Sequence, residues 1–282
     1  MVIWKAIRKG NLMKITTLIE NHENAEKGLA GEHGLSLLLE IDNKKILFDT
    51  GQTGAFVENA GRLSVDLCSL DMTFLSHGHY DHTGGVPALV ENGYRGKIYA
   101  GGGFFRKKYK RLPDGNFKYN GNPFSKETYN IFLIKEDMKR VTEHVTVFRN
   151  FQRQTSFEQL NSKFYLDKEK IDEFTDEICL GIETEKGIVV LAGCSHTGIV
   201  NMIQTIKECT RQPIVGIIGG THLIEAGQER LQATIQALKQ EPLEFLAVSH
   251  CTGEQNMEQL KKAFGKKFIY NITGNQIFLP EM

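Results

Sequence analysis

No apolar run in this chain approaches the roughly 20 residues that a bilayer-spanning helix needs, residues 35–41 being among the longest. A secretory leader is missing too: Lys5, Arg8 and Lys9 supply charge, but neither an apolar core nor a small-residue cleavage site follows them. Charge of one sign is absent, since 34 Lys and Arg balance 34 Asp and Glu. A protein that grips nucleic acid through phosphates usually carries a basic excess, so no nucleic-acid partner is expected, although a local basic patch stays open. There is no C-x-x-C pair. The cysteines (68, 179, 194, 209 and 251) are odd in number and scattered, which argues against a disulfide framework and for a reducing cytoplasm. Repeats and low-complexity tracts are also lacking. What remains is a globular chain of 282 residues, 40% hydrophobic and 24% charged, large enough for one big domain or two small ones. Its expected partner is a small molecule, with no membrane; its oligomeric state is not legible.

The first 12 residues stand outside the pattern. Met13-Lys14-Ile15 opens a strand, and the codons of Arg8-Lys9-Gly10 can form a purine-rich run of the kind bacterial ribosomes bind before a start codon. Residues 1–12 are therefore either a translated leader or a real N-terminal extension, and the sequence leaves both readings open.

From residue 13 the chain is rich in strands. Residues 14–19, 35–41 and 45–48 are short β-type runs, a helix is expected over 54–60, and 72–76 reads as a buried strand. A helix beginning at Asp81 and running to Glu91 precedes a strand over 97–100. The second half alternates strands at 188–192, 214–218 and 243–248 with helices at 198–209, 229–239 and 254–264. Short runs at 267–270 and 276–279 close the chain. Residues 102–177 lack this rhythm and are polar and aromatic, which points to an insertion. Two strand-rich halves, each finished by helices, suggest two packed sheets with helices outside.

Histidine carries the strongest chemical signal. Three of nine lie in His77-Gly78-His79-Tyr80-Asp81-His82, and His196, His222 and His250 each follow an expected strand. Strand ends opening into loops are where α/β proteins gather binding groups. In an extended turn His77 and His79 point the same way and can face one cation. A helix start then swings Asp81 and His82 toward a second position. Imidazole suits zinc and iron, and a carboxylate adds charge for a second ion. One or two divalent ions are expected, zinc first, with iron or manganese as alternatives.

The pattern His-x-His-x-Asp-His, preceded by Ile46-Leu47-Phe48-Asp49-Thr50-Gly51, resembles the metallo-β-lactamase superfamily. The resemblance spans nearly all of residues 13–282, read as one domain with an insertion at about 102–177. It implies an α/β fold, the four-layer αββα sandwich. It also implies His77 and His79 on a first metal, Asp81 and His82 on a second, and Asp49 bracing the imidazoles from behind. Four further stretches, around Glu32-His33-Gly34, Gly193-Cys194-Ser195-His196, Gly220-Thr221-His222 and Ser249-His250-Cys251, resemble the branch of uncharacterised metal-dependent hydrolases that includes the dihydropterin-aminobenzene-ribosyl-phosphate synthases.

The chain also departs from the family pattern. The usual bridging aspartate is replaced by Cys194, and the histidine that normally precedes it is missing, His144 looking like a strand residue. His196 and His222 are expected to replace the lost ligands, and His250 fits the family's final one. Cys194 is either a soft thiolate ligand or a thiol packed beneath the metal. The basic run Arg106-Lys107-Lys108-Tyr109-Lys110-Arg111 is either a solvated loop or a lid that meets an anionic substrate, with Phe104, Phe105 and Tyr109 stacking on a ring. Arg153 and His33 are further candidate substrate contacts.

The leading expectation is a hydrolase in which Asp81 orients or deprotonates a metal-activated water attacking an ester, phosphoester or similar small anionic substrate. The rivals are a transferase of the ribosyl-phosphate synthase type and a non-catalytic binder.

Overall fold

The computed structural model describes residues 13–279, so the question of a leader over 1–12 lies outside the described residues. The chain begins β1 (Met13–Ile19), β2 (Ser36–Ile41), β3 (Lys44–Phe48), α1 (Ala55–Arg62), β4 (Met72–Leu75), α2 (Tyr80–Thr83), α3 (Val86–Glu91) and β5 (Lys97–Gly101). Its middle holds β6 (Lys108–Arg111), β7 (Phe117–Tyr119), β8 (Ile131–Ile134), β9 (Met138–Arg140), β10 (Val145–Arg149), β11 (Phe164–Leu166) and β12 (Lys170–Ile171). It ends with β13 (Ile178–Thr184), β14 (Gly187–Ala192), α4 (Ile199–Thr210), β15 (Ile214–Gly219), α5 (Gln228–Lys239), β16 (Phe245–Val248), α6 (Glu254–Phe264), β17 (Phe268–Tyr270) and β18 (Gln276–Leu279). Among the described residues no helix is long and apolar enough to cross a membrane.

These elements divide between two compact units. The first comprises the described residues up to Lys135, together with Asn161–Asp176 and those from Ile272. Its main sheet has seven strands in the order β18-β1-β2-β3-β4-β5-β8, antiparallel as far as β3 and parallel from β3 to β8. Phe56 and Ala60 of α1 and Val86 and Leu89 of α3 join Leu18, Leu38, Leu47 and Leu75 of this sheet in one buried cluster. The second unit comprises Glu136–Leu160 and Glu177–Asn271, with a seven-stranded sheet in the order β17-β16-β15-β14-β13-β10-β9. Its parallel strands are joined through α4, α5 and α6. The apolar stripes of those helices, among them Ile199, Ile203, Ile206, Leu231, Ile235, Leu238, Met257 and Leu260, form its core with Val190, Ile217 and Leu246. Helical period 3.6 against strand period 2 is what sorted these segments in the sequence.

Two expectations need correction. The single helix over 81–91 is broken into α2 and α3 at Gly84 and Gly85. Gly85 N–H donates to Gly51 O rather than to the helical partner four residues back. A Cβ on Gly84 would lie 2.0 Å from Gln52 O, and one on Gly85 2.1 Å from Thr50 O. The glycines let the 50–53 backbone approach, and that approach ends the helix. The stretch 102–177 is likewise not without strands. β8 extends the first sheet, β9 and β10 extend the second, and only β12-β11-β6-β7 forms a separate four-stranded sheet. β6, β7, β8 and β9 are short and partly exposed, so their apolar alternation is weak, whereas β10 is buried along most of its length.

Asn59, buried on α1, ties this helix to the sheet's first loop. Its amide donates to Leu18 O (2.8 Å) and Ala30 O (2.9 Å), and its carbonyl accepts from Ala30 N (2.9 Å). Asn59→Ala is expected to lower stability by about 1–3 kcal/mol, since it strands buried backbone groups. Urea titration checks this, and an unchanged midpoint would contradict it.

Candidate metal centre

In the first unit β3 and β4 are parallel neighbours with Phe48 paired to Phe74, so Asp49 and Ser76 leave the sheet side by side. Asp49 sits in the left-handed region (φ 63°), uncommon for a residue with a side chain although Asp and His tolerate it better than most. One carboxylate oxygen of Asp49 accepts from Ser76 N (2.6 Å). The other accepts from Ser76 Oγ (2.7 Å) and His82 Nδ1 (2.6 Å). With its Nδ1 proton given to Asp49, His82 keeps a bare Nε2. The Ser76 hydroxyl hydrogen is also given to Asp49, so its oxygen accepts from His77 Nδ1 (2.9 Å) and leaves His77 Nε2 bare. That nitrogen lies 3.0 Å from His79 Nδ1. Two imidazoles on one tetrahedral zinc, with bonds of 2.0–2.1 Å, have nitrogens about 3.3 Å apart, so the pair is spaced for a shared ion. Burial, reinforced by neighbouring His82 and His79, holds the His77 imidazole well below its ordinary pKa and therefore neutral, the form that ligates. Asp81 is buried alongside. Its Oδ2 lies 3.2 Å from the exposed His33 Nε2 and 3.9 Å from His82 Nε2.

The backbone carrying these groups is held from several sides. Thr50 donates to His82 O from both its N (2.8 Å) and its Oγ1 (3.0 Å), and Thr83 Oγ1 donates to His79 O (2.9 Å). Gly78 N donates to Asp176 Oδ2 (2.8 Å). A side chain at 78 would clash, because a Cβ there would lie 2.6 Å from Phe104 O. His79 forms a backbone bridge with Gly121, and its ring packs against Phe164 (5.2 Å) and Phe174 (5.6 Å). The small four-stranded sheet thus flanks the motif through aromatic side chains and Asp176.

Its basic run, open in the sequence between a solvated loop and a lid, ends in strand β6, Lys108–Arg111. Lys108, expected to meet substrate, is 1% exposed, and its ammonium bonds to Asp172 (2.6 Å) and Asp176 (2.8 Å), themselves 1% and 2% exposed. Burial opposes the charge, but the two carboxylates outweigh it and raise the lysine's pKa. Exposed Arg106 pairs with Asp167 at 2.9 Å, and Lys110 Nζ sits over the Phe164 ring at 5.7 Å. Phe104 is fully buried in the first unit's core and cannot stack on a ligand. Lys107 remains exposed.

In the second unit β14, β15 and β16 are parallel neighbours, with Ala192 beside Gly219 and Gly219 beside Val248. Their exits therefore adjoin, and they carry Cys194 and His196, His222, and His250 and Cys251. Ser195 (φ 58°), His222 (φ 48°) and His250 (φ 53°) are all left-handed, so each exit turns sharply at its first residues. The rings of His196 and His222 lie with centroids 4.1 Å apart and planes tilted by 47°. Buried Glu177 accepts from His196 N (2.7 Å), Thr197 N (2.8 Å) and Thr197 Oγ1 (2.7 Å), fixing that turn. Ligand atoms of Cys194, His222 and Cys251 lie within 4.8 Å of one another. Burial raises the Cys251 thiol's pKa, but hydrogen bonds from Cys194 and His222 and the nearby imidazoles bring it well below the usual value. Arg153 is exposed in the loop after β10, and His144 lies in the turn before that strand.

Sequence reasoning missed Ser76, Asp172, Asp176 and Glu177. The acids stand just before an apolar strand with no motif around them, and Gly78 and Asp176 are 98 residues apart. Only the fold pairs them.

The donors suit a divalent ion: neutral imidazoles, a carboxylate, and thiols in the second unit. Comparison with known proteins gives the same picture. A family profile described as the metallo-beta-lactamase superfamily matches residues 29–137. A protein of Methanocaldococcus jannaschii named 7,8-dihydropterin-6-methyl-4-(beta-D-ribofuranosyl)-aminobenzene-5'-phosphate synthase is 32% identical, the match covering 92% of this chain and 95% of that one. The crystal structure of Tm1679, titled a metal-dependent hydrolase of the beta-lactamase superfamily, superposes with a TM-score of 0.84 at 25% identity, over 95% of this chain and 100% of that one. YhfI of Bacillus subtilis, a metallo-beta-lactamase fold protein, is similar in fold (TM-score 0.62, 14% identity, 96% and 100% covered).

Lys108→Met is expected to cost about 3–5 kcal/mol at neutral pH, because it leaves two buried carboxylates facing each other. Burial already pushes the Asp172 carboxyl above its ordinary pKa, and losing the lysine's opposing charge raises it further, so the lost stability returns as pH falls toward the carboxylate range. Urea titrations at pH 7 and pH 5 measure both effects. A variant as stable as the parent at pH 7 would return Lys108 to the substrate side.

Proposed function

This chain belongs to the metallo-β-lactamase superfamily, and from that premise we propose that it is a metal-dependent hydrolase acting on a small ester or phosphoester. The observation that carries the reading is the buried His77–His79 pair, with nitrogens 3.0 Å apart, next to the Asp81 carboxylate. His77, His79, Asp81 and His82 are the proposed ligands in the first unit. The family pattern adds His196, His222 and His250, with zinc the first choice of metal and iron or manganese the alternatives. When bound, such an ion would act as a Lewis acid that polarises the substrate oxygen and lowers the pKa of water toward neutrality.

The chain's own residues do the rest. Asp49 and Ser76 fix the tautomers of His82 and His77, so no reorientation is needed during the reaction. Asp81 orients the attacking water and accepts its proton at a carboxylate oxygen. His33, 3.2 Å from that carboxylate and open to solvent, carries the proton outward. Phe164 and Phe174 supply an apolar wall beside His79. Arg106, Lys107 and Arg153 remain proposed contacts for an anionic group, whereas Lys108 does not.

A second reading is a transferase joining a ribosyl phosphate to an aromatic acceptor, favoured by the synthase that matches this chain end to end. It needs the same Lewis acid but a carbon nucleophile in place of water.

Metal analysis and product analysis test both readings. His77→Ala with His79→Ala is expected to abolish metal binding in the first unit while the protein stays folded; full retention of metal there would end the reading. Asp81→Asn is expected to lower kcat by about 10²–10⁴-fold on whichever member of an ester, thioester and phosphodiester panel is hydrolysed. A joined product from a phosphorylated ribosyl donor and an aminobenzene acceptor would favour the transferase. Metal without turnover on any substrate would leave a binding protein.

A further inference from the structure

We propose that Cys194, His222 and Cys251 form a sulfur-rich metal site in the second unit, selective for thiophilic divalent ions such as zinc over manganese or magnesium. The inference rests on the metal-binding reading but goes beyond it, by making Cys251 a ligand and by assigning the site's selectivity.

Four observations carry it. The adjoining exits of β14, β15 and β16 deliver the three residues from separate strands, and their ligand atoms lie within 4.8 Å of one another. A tetrahedral ion with metal–sulfur bonds of about 2.3 Å and metal–nitrogen bonds of 2.0–2.1 Å would bring these atoms to about 3.5–3.8 Å, an adjustment of side-chain size. All three residues are buried, so an ion there would be shielded from water. The backbone makes room for the sulfur: a Cβ on Gly220 would lie 2.5 Å from Cys251 Sγ and 2.4 Å from Gly193 O. Finally, His222 N–H donates to Cys251 Sγ at 3.3 Å, a hydrogen bond that a thiolate keeps and strengthens. In the thiol form that sulfur also donates to Cys194 O at 3.4 Å, and metal binding exchanges this weak bond for a metal–sulfur bond with release of the proton.

Two thiolates and an imidazole are a zinc-type donor set, whereas manganese and magnesium prefer oxygen. With Cys194 in the position where the family pattern has a bridging aspartate, the second unit exchanges an oxygen ligand for sulfur. Cys251 adds a second sulfur. The site would then bind zinc in preference to the hard ions.

The test is cobalt substitution of the full-length reduced protein, read by absorption. Thiolate ligation gives an intense sulfur-to-cobalt charge-transfer band in the near ultraviolet, which imidazole and carboxylate ligands do not. The band is expected in the parent and in His77→Ala/His79→Ala, to fall to about half or less per bound cobalt in Cys251→Ser and in Cys194→Ser, and to vanish in the double cysteine variant. X-ray absorption of the zinc-loaded parent should show sulfur at about 2.3 Å, and needs no variant should a substitution unfold the chain. Cobalt bound in full stoichiometry without the band would overturn the proposal and leave the metal-dependent reading intact. A band undiminished in Cys251→Ser would overturn it as well, as would a Cys194–Cys251 disulfide found by thiol titration of the protein as purified. Failure of the parent to bind any cobalt would sink both.

Discussion

An imidazole can hold a cation only when one nitrogen is bare and aimed, and in the first unit that condition is met by a single carboxylate. Asp49 accepts one hydrogen bond from His82 Nδ1 directly and another from the Ser76 hydroxyl, whose oxygen in turn accepts from His77 Nδ1. Two ring orientations and two tautomers follow from one residue at the end of β3. Asp49 can do this because β3 and β4 are parallel and in register, and because its own backbone adopts a left-handed turn that points its side chain across the neighbouring exit. The turn is a local cost of the kind that surrounding structure must offset. Thr50, clamped to His82 O, is part of that structure.

The same economy of position explains the basic run. In a chain without net charge, a cluster of lysines and arginines invites an electrostatic role toward substrate. Lys108 instead joins Asp172 and Asp176, and Asp176 in turn holds the amide of Gly78 between the two metal-type histidines. A buried triad of this kind adds little net stability compared with an apolar replacement of all three, but losing one member is costly. Its contribution is to fix the His77–His79 turn, which reframes the small sheet as a support for the metal motif.

Much of this was legible in the sequence, for reasons that differ by element. The six residues from His77 to His82 and the histidines at strand exits could be found because metal-type donors at short spacing have few competing explanations. The helices α4, α5 and α6 were plain because each carries an apolar stripe of period 3.6. Where the sequence misled, tertiary contacts outweighed local pattern. Gly84 and Gly85 look tolerable inside a helix until the 50–53 backbone approaches them, and β8, β9 and β10 lie in a stretch that reads as an insertion until they add to sheets built by distant strands. Lys108 reads as solvated because its partners lie 64 and 68 residues away.

The account stands most directly on the first unit's histidines sharing an ion. Anomalous diffraction at a metal absorption edge, from crystals grown without chelator, tests it. The expected result is a metal peak within about 2.0–2.1 Å of His77 Nε2 and of His79 Nδ1, with His82 Nδ1 still on Asp49. A metal-containing protein with no peak within ligand reach of either histidine would contradict it.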